Sequence, residues 1–355
     1  MNLLDRYIAV SVLKSVALVV VVLVAVATFI ELVGQLDDVG TVRYRLEDAL
    51  SYVALRMPRT VFMLLPAAAL LGALLSLGNL AVHRELIVMR ASGVSRLRLL
   101  GSVGVAGVVL SVSMALLGDS LAPSLAAYAR ALRAQALEDN VDLAGGQSTW
   151  LKDGDRIVSL HREADGFGFG GVYLFELEAD RALKQVARAD SAAIDETNRW
   201  VLANYAETAF DSDGISARVE RESVQSYGLS VELLDLSVVR HDLLDTQGLK
   251  RYISYLQANE LDAAPYLIAY WARMADIVSA LLMTILALPF VFGGLRSAGT
   301  GARLLVGLLI GLGYYVTAQT IANSGQVFDL DPRIVAWLPS VVLLAITAVA
   351  LARTR

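Results

Sequence analysis

Long apolar blocks separated by charged joints run along this chain, and six of them approach the length of a membrane span. A helix crossing the hydrocarbon core of a bilayer needs about 20 mostly apolar residues. The blocks are Ser15 to Ile30, which holds Val19-Val20-Val21-Val22, then Phe62 to about Val82, Leu99 to Leu117, about Tyr266 to Phe292, Leu304 to Ala322 and Ile334 to Ala352. Ahead of the first, Leu3 to Leu13 reads as an amphipathic interfacial helix leading into the span. Ala25-Val26-Ala27 imitates a signal-peptidase site, but the segment before the apolar stretch is long and carries Asp5, out of place in a signal n-region. The first block is therefore predicted to be kept as a span.

Between the third and fourth blocks the period changes from helical to alternating, from about Asn140 to Asp245. Arg156–His161, Val172–Glu178, Trp200–Tyr205, Ser216–Arg221 and the stretch around Ser230–Leu236 are strand-like. Turn signals divide them at Lys152–Asp155, Asp165–Gly171, Asp195–Asn198 and Asp211–Gly214. Short strands at this spacing predict an all-β sandwich or open barrel. Ala126–Leu137, with Arg130 and Arg133, is predicted to carry the third helix out of the bilayer. The expected organisation is an N-terminal transmembrane half over 1–139, a β domain over 140–245 and a C-terminal transmembrane half over 246–355.

Composition agrees with this pattern and removes several functions. Hydrophobic residues make up 56% of the chain and the mean hydropathy is +0.57, too high for a single soluble domain. A net charge of −5 leaves no basic footprint for nucleic acid. There is no cysteine, hence no disulfide framework or thiolate chemistry. His83, His161 and His241 are far apart, so no metal site is expected. No G-x-x-x-x-G-K-[ST], H-E-x-x-H or G-x-S-x-G occurs, and Ser11-Val-Leu-Lys14 matches S-x-x-K only by chance. Gly166, Gly168 and Gly171 match G-x-G-x-x-G, but a strand follows them where a dinucleotide site needs a helix, so a hairpin tip is expected. No catalytic residue is predicted.

Charge gives a direction. The joint between the second and third blocks holds Arg84, Arg90, Arg96 and Arg98 against Glu85; Arg296 and Arg303 fill the next joint on that side. With Arg6, Lys14, Arg353 and Arg355 at the ends, all four basic stretches fall on one side of six spans, which the positive-inside rule makes cytoplasmic. The β domain and both termini are thereby predicted to lie on opposite sides.

Three further patterns stand out. Ala68, Gly72 and Ser76 recur every fourth residue on the second span, and Gly307 and Gly311 do so on the fifth, a spacing that lets helix backbones approach. Packing within the chain and a subunit seam both fit it. In the basic joint, Leu86, Ile87, Met89 and Arg90 fit a short surface helix stopped by Gly93. Such a helix docks on a soluble partner or lies on the lipid surface. Finally, Glu31, Asp37, Asp38, Arg59, Asp119, Arg273 and Asp276 sit near the outer span ends, where ionisable groups pair or line a polar path.

Leu4-Asp-Arg-Tyr-Ile8, Pro66–Gly78, Arg84-Glu-Leu-Ile-Val-Met-Arg-Ala-Ser-Gly93, Tyr128–Gln135 and Phe290–Ser297, in this order, give the chain an end-to-end resemblance to the LptF/LptG family, nearer its LptG branch. These are the permeases of the ATP-driven lipopolysaccharide exporter. The resemblance implies six transmembrane helices with a periplasmic jellyroll-like domain between the third and fourth, in the inner membrane of a Gram-negative bacterium. It implies an LptF-like sister permease, an LptB-like ATPase dimer and a single-span, LptC-like jellyroll partner, with ATP and Mg used by the ATPase and no cofactor held by this chain. The segment around Glu85 then resembles the coupling helix, with Arg84, Glu85, Leu86, Met89 and Arg90 as the ATPase-docking set and Leu86 and Met89 as its anchors. Lipid would be met by Arg59, Arg130, Arg133, Glu31, Tyr314, Tyr315 and Gln319, the guanidinium groups taking phosphates. One departure is plain: Glu31, Asp37 and Asp38 occupy the outer end of the first span where LptG relatives carry lysines. Arg43 and Arg45, the sister permease, or a divalent ion bridging carboxylate to phosphate would have to compensate. A different transporter-linked subunit that transmits force without carrying lipid shares most of this pattern; a membrane receptor or intramembrane enzyme shares less.

Overall fold

An unbroken helix, α1 (Leu3–Leu36), covers both the stretch Leu3 to Leu13 expected to lead into the first span and the span itself. No glycine or proline interrupts it before Gly34, and Ile8, Val12, Val16 and Val19 are buried at helical spacing, so the first turns pack into the protein rather than lie on its surface. The computed structural model describes residues 3–41, 43–137, 149–162, 169–178, 182–194, 199–211, 214–225, 244–292, 299–328 and 330–353.

The chain divides into two units. Met1–Leu137 with Ala264–Arg355 form the helical one. After α1 come α2 (Leu46–Val82), a short α3 (Glu85–Ala91) and α4 (Arg96–Leu116), which passes through a π turn at Leu117–Leu121 into α5 (Ala122–Leu137). The π turn falls where Gly118 meets the ring of Phe62 on α2, a contact a side chain would obstruct. The second half supplies α7 (Ala264–Phe292), α8 (Thr300–Val327) and α9 (Pro332–Arg353). Counting α4 and α5 as one rod, six helices among the described residues are long and apolar enough to span a bilayer, as the hydropathy pattern predicted.

At the centre stands α2, where Ala68, Ala69, Leu70, Gly72, Ala73 and Leu74 are all buried. α1, α7 and α8 pack directly on it. At the far end of α2, Gly78 leaves room for the side chain of Arg303, which is 2% exposed at the start of α8.

The second unit is Glu138–Ala263. Strands β1 (Thr149–Asp153), β2 (Arg156–Arg162), β3 (Phe169–Leu177), β4 (Leu183–Ile194), β5 (Trp200–Asp211) and β6 (Gly214–Gln225) form one antiparallel sheet in sequence order. The all-β domain between the third and fourth spans is present, its described strands joined as a meander. Val158, Leu160, Val172, Leu174, Trp200 and Leu202 fill the buried face by alternation. At Asn204, φ +50°, the ladder is interrupted without a change of register, and the inward positions pass from Leu202 to Tyr205; its amide donates to Asp190 of β4 at 3.0 Å. Strands β1 and β4 escaped the sequence reading, β4 because its inward positions are Ala187, Ala189 and Ala192, which carry little strand signal. The strand expected at Ser230–Leu236, the turn at Asp195–Asn198, and Gly166 and Gly168 lie outside the described residues; Gly171 stands within β3.

The domain boundary at 245 needs correcting. Helix α6 (Thr246–Ala258) belongs with the sheet and not with the membrane helices. The Tyr255 hydroxyl accepts from Lys152 N at 3.1 Å and donates to Lys152 O at 2.8 Å, while Asn259 Oδ1 accepts from Gly154 N at 2.7 Å. These side chains occupy outward backbone groups at Lys152 and Gly154 and so obstruct strand pairing at that end of β1.

Candidate coupling and lipid-facing sites

Helix α3 is two turns long and bounded by strained or permissive backbone: Arg84 at φ +64° before it and Gly93 at φ +92° after it. Its buried pair is Leu86 and Met89, which join Ile8, Val12, Leu99 and Val103 in the core of the helical unit. This corrects their expected role as anchors for a partner, because neither presents apolar surface outward. The outward apolar pair is Ile87, 45% exposed, and Val88, 65% exposed, flanked by the exposed Arg84 and Arg90. Glu85 accepts a hydrogen bond from the Tyr7 hydroxyl at 2.9 Å. Arg90 lies over the Phe292 ring, 5.6 Å from its centroid, and both line a cleft of about 360 Å³ with Ala81, Leu86 and Val291.

Both small-residue stripes face helices of this same chain. Gly72 lies against Val16 of α1, Ser76 Oγ is 2.9 Å from Ser11 Oγ, and Ala68 packs beside Val19. A Cβ on Gly307 would lie 2.8 Å from Leu71 and Leu74, and one on Gly311 3.0 Å from Ala67. The stripe on α2 thus seats α1, and the stripe on α8 seats that helix on α2.

The acidic end of α1 is answered by arginines. Glu31 forms an ion pair with Arg56 of α2, and Asp38 accepts from Arg133 of α5 at 2.5 Å. Both guanidinium groups also cover the Tyr52 ring, 5.2 Å and 5.5 Å from its centroid. Among the described residues no group of three or more His or carboxylate side chains could hold a metal ion. Arg133, expected to meet phosphate, is instead committed to Asp38, and Glu31 to Arg56. Arg59 and Arg130 are partly buried on α2 and α5.

On α8 the expected trio separates. Tyr314 is partly buried, its hydroxyl 3.4 Å from Ser340 Oγ of α9. Tyr315, 42% exposed, reaches Met63 Sδ at 3.7 Å, and the exposed Gln319 bonds Asn323 at 3.5 Å.

Outside the spans, Glu176 is held below the usual carboxylate range by its hydrogen bond from Lys184 at 2.6 Å, with Arg156 assisting at 3.0 Å. Burial, and then the hydrogen bond to Glu207, push the Tyr205 phenol up to about 12.

Sequence reasoning overlooked Tyr7, Asp5, Tyr52 and Arg56. A spacing argument was available only for Arg56, three residues before Arg59 on one helix.

Six candidate spans among the described residues, divided three and three around an inserted β unit, define a polytopic membrane protein. The family profile of the lipopolysaccharide export system permease LptF/LptG matches residues 6–353, and the chain belongs to that family. It is 29% identical to the LptG permease protein of Haemophilus influenzae over 355 residues, covering 100% of this chain and 99% of the relative. With LptG of Escherichia coli K12 it shares 32% over 341 residues, 96% and 95% of the two chains. With LptF of the same strain it shares 22% over 308 residues, 84% and 81%.

Proposed function

We propose that this chain is the LptG-like permease subunit of an ATP-driven exporter that extracts lipopolysaccharide from the outer leaflet of the inner membrane and passes it to a periplasmic bridge. The observation that carries this reading, beside family membership, is the uneven burial of the spans. Only 11% of the apolar window of α1 is buried within the chain, and 11% of that of α8, against 67% for α2, on which both pack. Two apolar helices flanking one core helix leave a face for an LptF-like sister permease and for a lipid with several acyl chains.

In this reading the basic α3 joint and both termini are cytoplasmic and the sheet is periplasmic, as the positive-inside rule requires. The chain itself is non-catalytic and binds no cofactor. An LptB-like ATPase dimer, using ATP and Mg, docks on α3 through Ile87 and Val88, with Arg84, Glu85 and Arg90 as the polar surround. The sheet is the site for an LptC-like partner, which docks by strand addition at a sheet edge; at the Lys152–Gly154 end of β1 the side chains of Tyr255 and Asn259 stand in its way. Lipid phosphates reach Arg56 and Arg133 by displacing the carboxylates of Glu31 and Asp38, whereas acyl chains meet α1 and α8.

The test is photocrosslinking in membranes that contain lipopolysaccharide, with a photoreactive residue at Val26, Leu312 or Leu74. Val26 and Leu312, exposed on α1 and α8, should trap lipopolysaccharide or the sister permease, and buried Leu74 neither. A chain that copurifies with an ATPase but traps no lipid at either position would be a force-transmitting subunit, contrary to the proposal.

A further inference from the structure

The beginning of α1 touches the α3 joint at both of its ends. Where α3 starts, the Tyr7 hydroxyl donates to Glu85 Oε2 at 2.9 Å. Where α4 starts, Asp5 Oδ1 accepts from Ser102 Oγ at 2.9 Å and from Arg98 Nε at 3.3 Å. Between these two contacts, Ile8 and Val12 are fully buried in the cluster that also holds Leu86, Met89, Leu99 and Val103. One helical turn therefore grips the residues that enter and leave the joint.

Main-chain connections alone would couple α3 more loosely. It meets α2 through His83 and Arg84, the latter in the left-handed region, and meets α4 through Gly93, also at positive φ. Both are turning points of the backbone, where small dihedral changes redirect the helix. Side-chain ties that bridge the joint to a third element remove that freedom. A hydrogen bond onto a carboxylate is charge-assisted, and with one oxygen engaged the other is left for a cation of a docking partner.

We propose that Tyr7 is the positioning residue of the coupling joint: its hydroxyl orients the Glu85 carboxylate and ties α3 to α1. Motion imparted to α3 then reaches the first span directly and not through α2 alone. This rests on the reading of α3 as the ATPase-docking element. It gives α1 a second duty, since the helix that borders the lipid face is also the one latched to the motor.

The experiment uses the full exporter, with its sister permease and ATPase, in vesicles containing lipopolysaccharide. Tyr7→Phe, Glu85→Ala and the double variant are compared for copurified ATPase, ATP hydrolysed and lipid released. Tyr7→Phe keeps the ring and loses only the hydroxyl; it should retain the ATPase while lipid released per ATP falls about three- to tenfold, the scale of one typical hydrogen bond. The double variant should be no worse than Glu85→Ala, because both remove one shared bond. Wild-type coupling in Tyr7→Phe, or losses that multiply in the double variant, would overturn the latch. If Glu85→Ala uncouples and Tyr7→Phe does not, the latch alone is wrong. If Glu85→Ala also exports as wild type, the docking role of α3 fails with it.

Discussion

At Gly72 a single hydrogen atom decides whether α1 can close on α2, because a Cβ there would run into the backbone of Val16. Gly72→Ala must push the two helices apart, and a loss of about 1–3 kcal/mol is expected for such overpacking. Ser76→Ala removes only the Ser11 contact and should cost roughly 0.6 kcal/mol, the mean for polar contacts between membrane helices. Thermal midpoints of the detergent-solubilised protein should rank the two in that order. The same scale governs Tyr205. Its raised phenol stays neutral in the folded sheet at a pH where the unfolded chain ionises, so its contribution is intact below about pH 10 and is lost as pH rises towards 12. Tyr205→Phe should flatten the loss of stability over that window, measured as the difference between the two proteins in alkaline unfolding. Small-residue spacing was legible in the sequence, since backbone approach needs it. Which neighbour fills each notch was not, because spacing carries no information about the partner's register.

Helix α3 shows where pattern reading reaches its limit. A two-turn helix with Leu86, Ile87, Val88 and Met89 in succession offers two apolar pairs, and seven residues contain too little period to say which faces inward. Only the presence of Ile8 and Val12 behind it settles the matter in favour of Leu86 and Met89. The two pairs therefore fail differently when changed. Leu86→Ala should destabilise the protein by about 2–5 kcal/mol, as core truncations do. Ile87→Asp with Val88→Asp should leave its thermal midpoint nearly unaltered and abolish ATPase copurification. Reversed outcomes would return Leu86 to the docking face. A similar limit explains α6, whose tyrosines and leucines suit a soluble amphipathic helix but do not say which unit it covers. Its attachment rests on Tyr255 and Asn259 meeting β1 across about a hundred residues of sequence, the long-range kind of contact that local pattern cannot contain.

For the whole molecule, the solvent did most of the specifying. A bilayer demands long apolar helices and basic cytoplasmic joints, so the number and order of the spans could be read directly. The rim of α1 could not, because Glu31 meets Arg56 and Asp38 meets Arg133 only once three helices share a register. The absence of lysine at the Glu31–Asp38 end of the first span then has a simple physical counterpart: the cations sit on α2 and α5, and the carboxylates hold them in place. Both members of the Asp38–Arg133 pair are about a third exposed, so Asp38→Arg should cost less than about 1 kcal/mol and adding Arg133→Asp should restore most of it. Thermal midpoints of the single and double variants check this; no recovery in the double variant would mean that the pair does not act as a unit. Arg303 extends the same logic to biogenesis. Its guanidinium lies in a niche beside Gly78, which belongs to a helix synthesised more than two hundred residues earlier. An arginine in the first turn of a span can keep its head in water until packing against α2 takes it into that niche. The C-terminal spans thus complete a groove that the N-terminal half must already have formed, and vectorial synthesis delivers the two halves in the order that assembly requires.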